Sequence, residues 1–481
     1  MKKYILIILC CLTSFPLWSY NVNMIVEHYS VDQGLPNNTV NCTLKDRDGF
    51  IWFGTWYGLC CFDGVKFKTF NKQEHDSDVP PRKIQRIVED KNGYIWVKTI
   101  DRKLYVFNKV TECFHAVYDD MKNYSENIQV IKLQNTAEGD VLLLTKDKNL
   151  LLAGVDEKGQ VTIKILFDSR DEINKHDYTL KHHVLCETEE YISWIGTDYK
   201  VSAVHKGAEL ASRPADFITS KINSGDKDSF TSFFEDGRKV WVGDRAGIFY
   251  SIDVRTGLVN RYVLSEIKGA ISNLLVTPAG YVYLSVAGQG TYEYDLAERR
   301  LQKINTEMND AMVTHAFIDQ YDKIWFHENE KALIYYDPLN HTAKRFPFTM
   351  FGKITTLYSE DAGERGLFFL SPAGEAWLFD REHAEMVYIN KLKQLSNDRA
   401  NQQFYHLMLD NDGVLWLSSA DEGVYCMNFP KKQFNLLSLS PQSAGQENYT
   451  IGVRALFQSK SGDIWLANSA QKKPFLTKWL F

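Results

Sequence analysis

The 481 residues predict an all-β chain of stacked four-stranded sheets, and three observations carry that prediction. A polar turn followed by an apolar strand centred on an aromatic returns ten times. The turns carry Asp-Gly or Asn-Gly pairs, strong hairpin signals because glycine accepts the positive φ of a tight reversal. Successive anchors lie 44, 46, 52, 47, 42, 42, 44, 47 and 49 residues apart, around the period of four-stranded propeller blades.

The clearest copies of the repeat centre on Trp52, Trp96, Trp416 and Trp465, and looser ones on Trp194, Trp241, Tyr283 and Trp325. Degenerate copies fall near Leu142 and Phe369. The first unit reads strand by strand: 39–45, a turn at 46–49, 50–55, a turn at 56–58, 59–62, a hairpin at Asp63-Gly64, and 65–70. Ile51 and Phe53 point to one face of the second strand and Trp52 to the other, so both faces carry apolar side chains. A lone sheet of this kind cannot cover itself, so neighbours must stack, and a radial arrangement leaves only short, protected edges.

Composition agrees, at 44% hydrophobic and 13% aromatic. With 55 Lys plus Arg against 61 Asp plus Glu, a net charge of −6 gives no electrostatic reason to expect nucleic acid. Lys2 and Lys3 precede an apolar stretch from Tyr4 to Trp18, short of the about 20 residues of a membrane span and suited to a signal peptide. An uncleaved N-terminal anchor is the alternative. Cys10-Cys11 lacks the small residues of a lipoprotein site. Cys42, Cys60, Cys61, Cys113, Cys186 and Cys426 form no C-x-x-C pair and suggest neither zinc nor a disulfide framework, although Cys42 could bridge to Cys60 or Cys61.

The opening Gln33-Gly34-Leu35-Pro36-Asn37-Asn38-Thr39-Val40, then 45–59 and Phe62-Asp63-Gly64, resembles the two-component regulator propeller, the repeat of the periplasmic sensor of Bacteroides-type hybrid two-component systems. The resemblance runs from about residue 24 to 466, and the units around Leu142 and Phe369 depart from it by losing the Trp. It implies tandem seven-bladed propellers, with a membrane helix, histidine kinase and DNA-binding module further on. It also implies a periplasmic location and recognition of polysaccharide breakdown products, and the full-length family admits a homodimer.

On that plan residues 1–20 are the signal peptide or anchor, 21–345 a seven-bladed β-propeller, 346–470 an incomplete second propeller of about three blades, and 471–481 a non-repeat tail. The kinase and DNA-binding parts have no place in these residues, and no apolar run beyond the N-terminal segment has membrane length. A single ring of more than seven blades is the structural alternative. Ile25 to Ser30 occupies a fourth-strand position and is a candidate to complete the last blade; Thr342 to Phe348 competes for that place.

Because each strand reverses direction, the loop joining strands two and three emerges on the same face as the link to the next blade, and such loops commonly carry binding residues. They hold Trp56, Tyr57, Asp198, Tyr199, Asp244, Arg245, Gln289, Glu328, Asn329, Asp421 and Glu422. Aromatics beside carboxylates and amides suit stacking on sugar rings and bonding to hydroxyls, so an oligosaccharide is the expected ligand; ordinary turn chemistry is the plainer reading of each residue.

No catalytic residue, metal site or cofactor is expected. G-x-S-x-G, the phosphate-binding loop and H-E-x-x-H are all missing, and His327-Glu328 lacks the second histidine. Asp46-Arg47-Asp48-Gly49 and Asp410-Asn411-Asp412-Gly413 resemble the start of a calcium loop without its closing Glu, and read as hairpin turns. Together with the absent motifs, the resemblance to the two-component regulator propeller implies a sensor that does not act as an enzyme. A secreted propeller scaffold for protein–protein interaction and a propeller carbohydrate-active enzyme are the alternatives.

Overall fold

The computed structural model describes residues 25–428 apart from 71–80, 123–128, 148, 168–184, 189, 196–199, 208–216, 222–229, 305–312, 329–330, 352–357, 364–365, 372–374 and 392–403, together with 452–458, 464–469 and 474–479. The expected signal peptide lies outside these. Among the described residues no helix is long and apolar enough to cross a membrane. The chain is an all-β propeller of four-stranded antiparallel sheets.

The first compact unit, residues 1–430, holds nine such sheets among the described residues. Eight are simple meanders, at 40–70, 84–116, 130–167, 185–221, 230–263, 271–303, 313–347 and 358–391, numbered sheets 1 to 8 in chain order. Sheet 1 has strands Val40–Lys45, Ile51–Thr55, Gly58–Phe62 and Phe67–Phe70, close to the predicted bounds. Sheet 9 takes Phe404–Leu409, Val414–Ser419 and Val424–Asn428 and adds Ile25–Tyr29 as its fourth strand, with Tyr29 opposite Val424.

This corrects the expected closure near residue 345 and the division between 345 and 346. Thr342–Pro347 is the fourth strand of sheet 7, so no place is vacant there for an N-terminal strand. Among the described residues sheet 9 has three strands from its own segment and takes Ile25–Tyr29 as its fourth. Residues 346–428 therefore continue the first unit, and the boundary between compact units falls at 430/431.

The hydrophobic core is distributed over the junctions between sheets. Each of the nine apolar clusters among the described residues joins two neighbouring sheets. Trp52, Phe70, Ile84, Val97 and Phe107 join sheets 1 and 2, and Trp325, Phe369, Trp377 and Phe379 join sheets 7 and 8. Leu35, Phe53, Trp416 and Val424 join sheet 9 back to sheet 1, closing the cycle. The degenerate units keep this role with Leu142 and Phe369 in place of Trp.

The polar turn before each anchor has a structural task as well. Asp46 Oδ1 accepts the backbone N–H groups of Asp48 and Phe50, while Oδ2 accepts the indole N–H of Trp52 at 2.8 Å. The same indole bond recurs as Trp96 to Asp90 at 2.9 Å, Trp241 to Asp236 at 2.7 Å, Trp325 to Asp319 at 3.2 Å and Trp416 to Asp410 at 3.1 Å. A buried indole needs an acceptor, and the turn carboxylate supplies it. In sheet 6 the anchor is Tyr283, whose hydroxyl donates to buried Glu293 at 2.9 Å.

A second repeated device is a β-bulge near the start of the first strand, as between Val40 and Cys42, Ile84 and Arg86, Ile271 and Asn273, and Phe404 and His406. First strands of adjacent sheets lie against one another. Polar side chains tie them together: Asn41 Nδ2 donates to the Ile84 carbonyl at 2.6 Å, Thr231 Oγ1 to that of Ile271 at 2.6 Å, and Asn273 Nδ2 to that of Val313 at 2.7 Å.

The second compact unit, residues 431–481, contains a three-stranded sheet of Gly452–Gln458, Ile464–Ser469 and Pro474–Trp479. The predicted non-repeat tail thus supplies a strand, its Pro474–Trp479 segment pairing antiparallel to Ile464–Ser469.

Candidate functional site

The loop between strands two and three of sheet 1 begins at Thr55. Its hydroxyl donates to the Gly58 carbonyl at 2.8 Å and accepts the Tyr57 N–H at 3.1 Å, drawing the turn tight. Gly58 sits at φ +129, a conformation that favours glycine. With the turn held by its own backbone, the Trp56 and Tyr57 side chains are left 42% and 64% exposed.

Backbone bonds join this loop to its neighbours on the same face. The Trp56 N–H donates to the Thr39 carbonyl, the Lys83 N–H to that of Trp56 and the Ile100 N–H to that of Lys83, at 3.2, 2.9 and 2.9 Å. Lys83 belongs to the link into sheet 2, and Ile100 to the strand-two-to-three loop of that sheet. The chain reversal thus brings both loop types together as expected. The Lys83 ammonium lies 5.3 Å from the centre of the Trp56 ring, a cation–π arrangement. Exposed Ile100 and Arg102 complete the surface. Lys83 and Arg102 have φ of 50 and 68, left-handed conformations that non-glycine residues adopt at some cost and that concentrate at functional positions.

The other predicted residues divide into three groups. Arg245 and Asp421 are exposed. Asp198, Tyr199 and Asn329 lie outside the described residues. Asp244, Gln289, Glu328 and Glu422 are each held in bonds within the protein.

Buried Asp244 accepts the N–H groups of Ala246 and Ile248 at 2.9 and 2.8 Å, and its burial raises the carboxyl above the usual range. Gln289 bonds the Lys268 N–H and the Glu266 carbonyl. Glu328 is buried against Arg345 at 3.0 Å. Glu422 accepts the Tyr425 hydroxyl at 2.5 Å, and its carbonyl bonds His28 Nε2 on the closing strand at 2.6 Å. Short polar side chains in tight turns satisfy their own backbone first.

Asp46, Asp48 and Glu89 converge closely enough to hold one cation. Lys109 from sheet 2 already places its ammonium among them, at 3.0, 2.6 and 2.8 Å. The cluster is an inter-sheet ion-pair network whose cation is a lysine. Cys42, Cys60, Cys61, Cys113 and Cys426 are free thiols, so the bridge considered within the first unit is not formed. On the opposite face, cavities of about 700 and 420 Å³ open between sheets 2 and 3, beside Tyr94 and His115, and between sheets 4 and 5, beside Tyr191 and Arg238.

Sequence reasoning missed Lys83, Ile100 and Arg102. The available signal was the cationic run Arg82-Lys83 directly after Pro80-Pro81, at the entrance to the second repeat.

Comparison with known proteins places residues 34–57 in a match to the family model described as two component regulator propeller. The matched segment ends on the exposed Trp56-Tyr57 turn. Similar solved structures include the extracellular domain of the hybrid two component system BT3049 from B. thetaiotaomicron, at 17% identity and TM-score 0.33, covering 95% of this chain and 60% of that one. The extracellular domain of the hybrid two component system BT4673 from the same organism shows 14% identity and TM-score 0.31, covering 89% of this chain and 68% of that one. A streptogramin B lyase shows 10% identity and TM-score 0.36, covering 85% of this chain and 98% of that one. The chain thus spans 60% of the length of the first of these. No curated protein matches.

Proposed function

We propose that this propeller is the periplasmic ligand-sensing part of a two-component signalling protein, and that it binds an oligosaccharide without altering it. The observation that carries the reading is the overlap of the two-component regulator propeller match, residues 34–57, with the exposed Trp56-Tyr57 turn. A rigid turn presenting two aromatic faces offers stacking area for sugar rings at little conformational cost. Two of the carboxylates on this face, Asp244 and Glu328, are buried in turn and ion-pair bonds.

Calorimetry against a panel of neutral and acidic plant and host oligosaccharides tests this. Binding without release of new reducing ends is expected, with Trp56→Ala weakening affinity by roughly tenfold or more, the scale of one lost stacking contact. Turnover of any sugar, or affinity untouched by both Trp56→Ala and Tyr57→Ala, would overturn the proposal.

A further inference from the structure

In the second strand of sheet 2, Ile95–Thr99, Lys98 stands where the equivalent strands of sheets 1 and 5 carry Gly54 and Gly243. Those glycines are packed closely: a Cβ on Gly54 would meet Ile84 Cγ2 at 2.6 Å, and one on Gly243 would meet Ile271 Cγ2 at 2.7 Å. In sheet 2 this crowded inner position holds an ammonium instead. Lys98 is only 6% exposed, and its Nζ donates to the Ile131 carbonyl of sheet 3 at 2.5 Å.

A buried lysine is ordinarily matched by a carboxylate. Among the described residues Lys98 makes no ion pair, and its surroundings are cationic. Its register partner on the first strand is the exposed Arg86, so two cationic side chains stem from directly opposite positions of the sheet. Arg102, in the loop just beyond, is a further cation acting on Lys98. Burial first, and then the charge of Arg102, bring the Lys98 ammonium down to about 8. Arg86 is exposed on a first strand, and its charge reaches His406 in sheet 9. Lys83, whose carbonyl accepts the Ile100 N–H two residues before Arg102, adds a fourth positive group.

A buried ammonium with no ion-pair partner among the described residues, beside further cations, is a cost in stability within a chain of net charge −6. We propose that the inner mouth of sheets 1 to 3, formed by Lys83, Arg86, Lys98 and Arg102, is an anion-binding site that takes the carboxylate or sulfate group of an acidic saccharide. Trp56 and Tyr57, bonded through the backbone to Lys83, would stack on the ring that carries the charge. The saccharide part rests on the function proposed above; the anion site stands on the charges alone.

Calorimetry with three probes on the full chain separates them: a galacturonic acid trimer, a galactose trimer and inorganic sulfate. The acidic trimer should bind at least tenfold more tightly than the neutral one and should weaken as salt is raised. Lys98→Met and Arg86→Gln should each reduce its affinity roughly tenfold. Arg86→Gln keeps an exposed polar side chain and should melt as the parent does, so its affinity tests the site even should Lys98→Met, which gives up the bond to the Ile131 carbonyl, fail to fold. Sulfate binding with neither trimer bound would support the anion site while removing the saccharide reading. Equal binding of the two trimers, affinity unchanged in both variants, or no binding by any probe would overturn the anion site.

Discussion

The indole nitrogen of Trp96 donates to the carboxylate of Asp90 at 2.9 Å, and the same Asp90 oxygen accepts the Val155 N–H of the next sheet at 3.2 Å. One turn residue therefore shapes its own hairpin, satisfies the anchor of its own sheet and holds the neighbouring one. Its other oxygen accepts the Asn92 and Tyr94 N–H groups, both at 3.0 Å.

Replacing Asp90 strips four donors of their acceptor at a site 1% exposed. Asp90→Ala should lower unfolding free energy by about 3 to 5 kcal/mol, and Asp90→Asn, which keeps one acceptor, by about half as much. Urea denaturation monitored by Trp fluorescence measures both. A loss below about 1 kcal/mol for the alanine variant would contradict the staple role.

Gly423 sits at φ +92, and a Cβ there would lie 2.1 Å from the Tyr29 carbonyl of the closing strand. Gly423→Ala should therefore destabilise by about 2 kcal/mol or more and loosen Ile25–Tyr29 from sheet 9. Limited proteolysis should then cut near the N-terminus faster than in the parent. An unchanged cleavage pattern would argue that this strand does not close the cycle.

Burial works against the charge of Lys109, but the hydrogen bonds it donates to Asp48, Glu89 and Asp46 overcome it and raise the ammonium above its ordinary range. A raised folded-state value contributes stability in full below the unfolded lysine value, about 10.5, and loses it as pH climbs through the folded one. Stability should fall on the alkaline side of about pH 10.5 in the parent and much less in Lys109→Met. At pH 7 the variant should already be weaker by about 1 to 3 kcal/mol. Matching alkaline limbs in the two proteins would refute the assignment.

His406 behaves in the opposite sense. Burial, and secondarily the charge of Arg86, hold its imidazole down to about 4. Between about pH 6.5 and 4 the unfolded chain binds the proton more readily than the folded one, so stability is complete above 6.5 and declines toward 4. The decline amounts to at most about 3 kcal/mol. His406→Asn should flatten that limb, and an NMR titration showing an ordinary His406 value would remove the explanation.

Much of the fold could be read from particular residues. Asp48-Gly49, Asn92-Gly93 and Asp412-Gly413 announced their hairpins, and the aromatics at 52, 96, 325 and 416 announced strands that are buried in the structure. Turn chemistry and strand alternation are local, so they leave local marks. The bonds of Asp244 and Glu328 were not legible, because a carboxylate in a turn looks alike in sequence whether it faces solvent or its own backbone. Only the positions of the Ala246 and Ile248 amides, or of Arg345, decide which. The charged pair Arg86 and Lys98 was equally silent, since twelve residues of chain separate two groups that strand register sets face to face.

By itself the sequence determined the kind of sheet, its repeat length and the aromatic at its centre, because hydrogen bonding within a meander and burial of alternate side chains act over neighbouring residues. The tertiary structure alone decided where the cycle closes. That choice depends on which sheet lacks a fourth strand and lies beside the start of the chain. Ile25–Tyr29 pairs with Val424–Asn428, about four hundred residues away, for a reason no local pattern can carry: an unpaired edge and an uncovered apolar face exist only once the other sheets have packed.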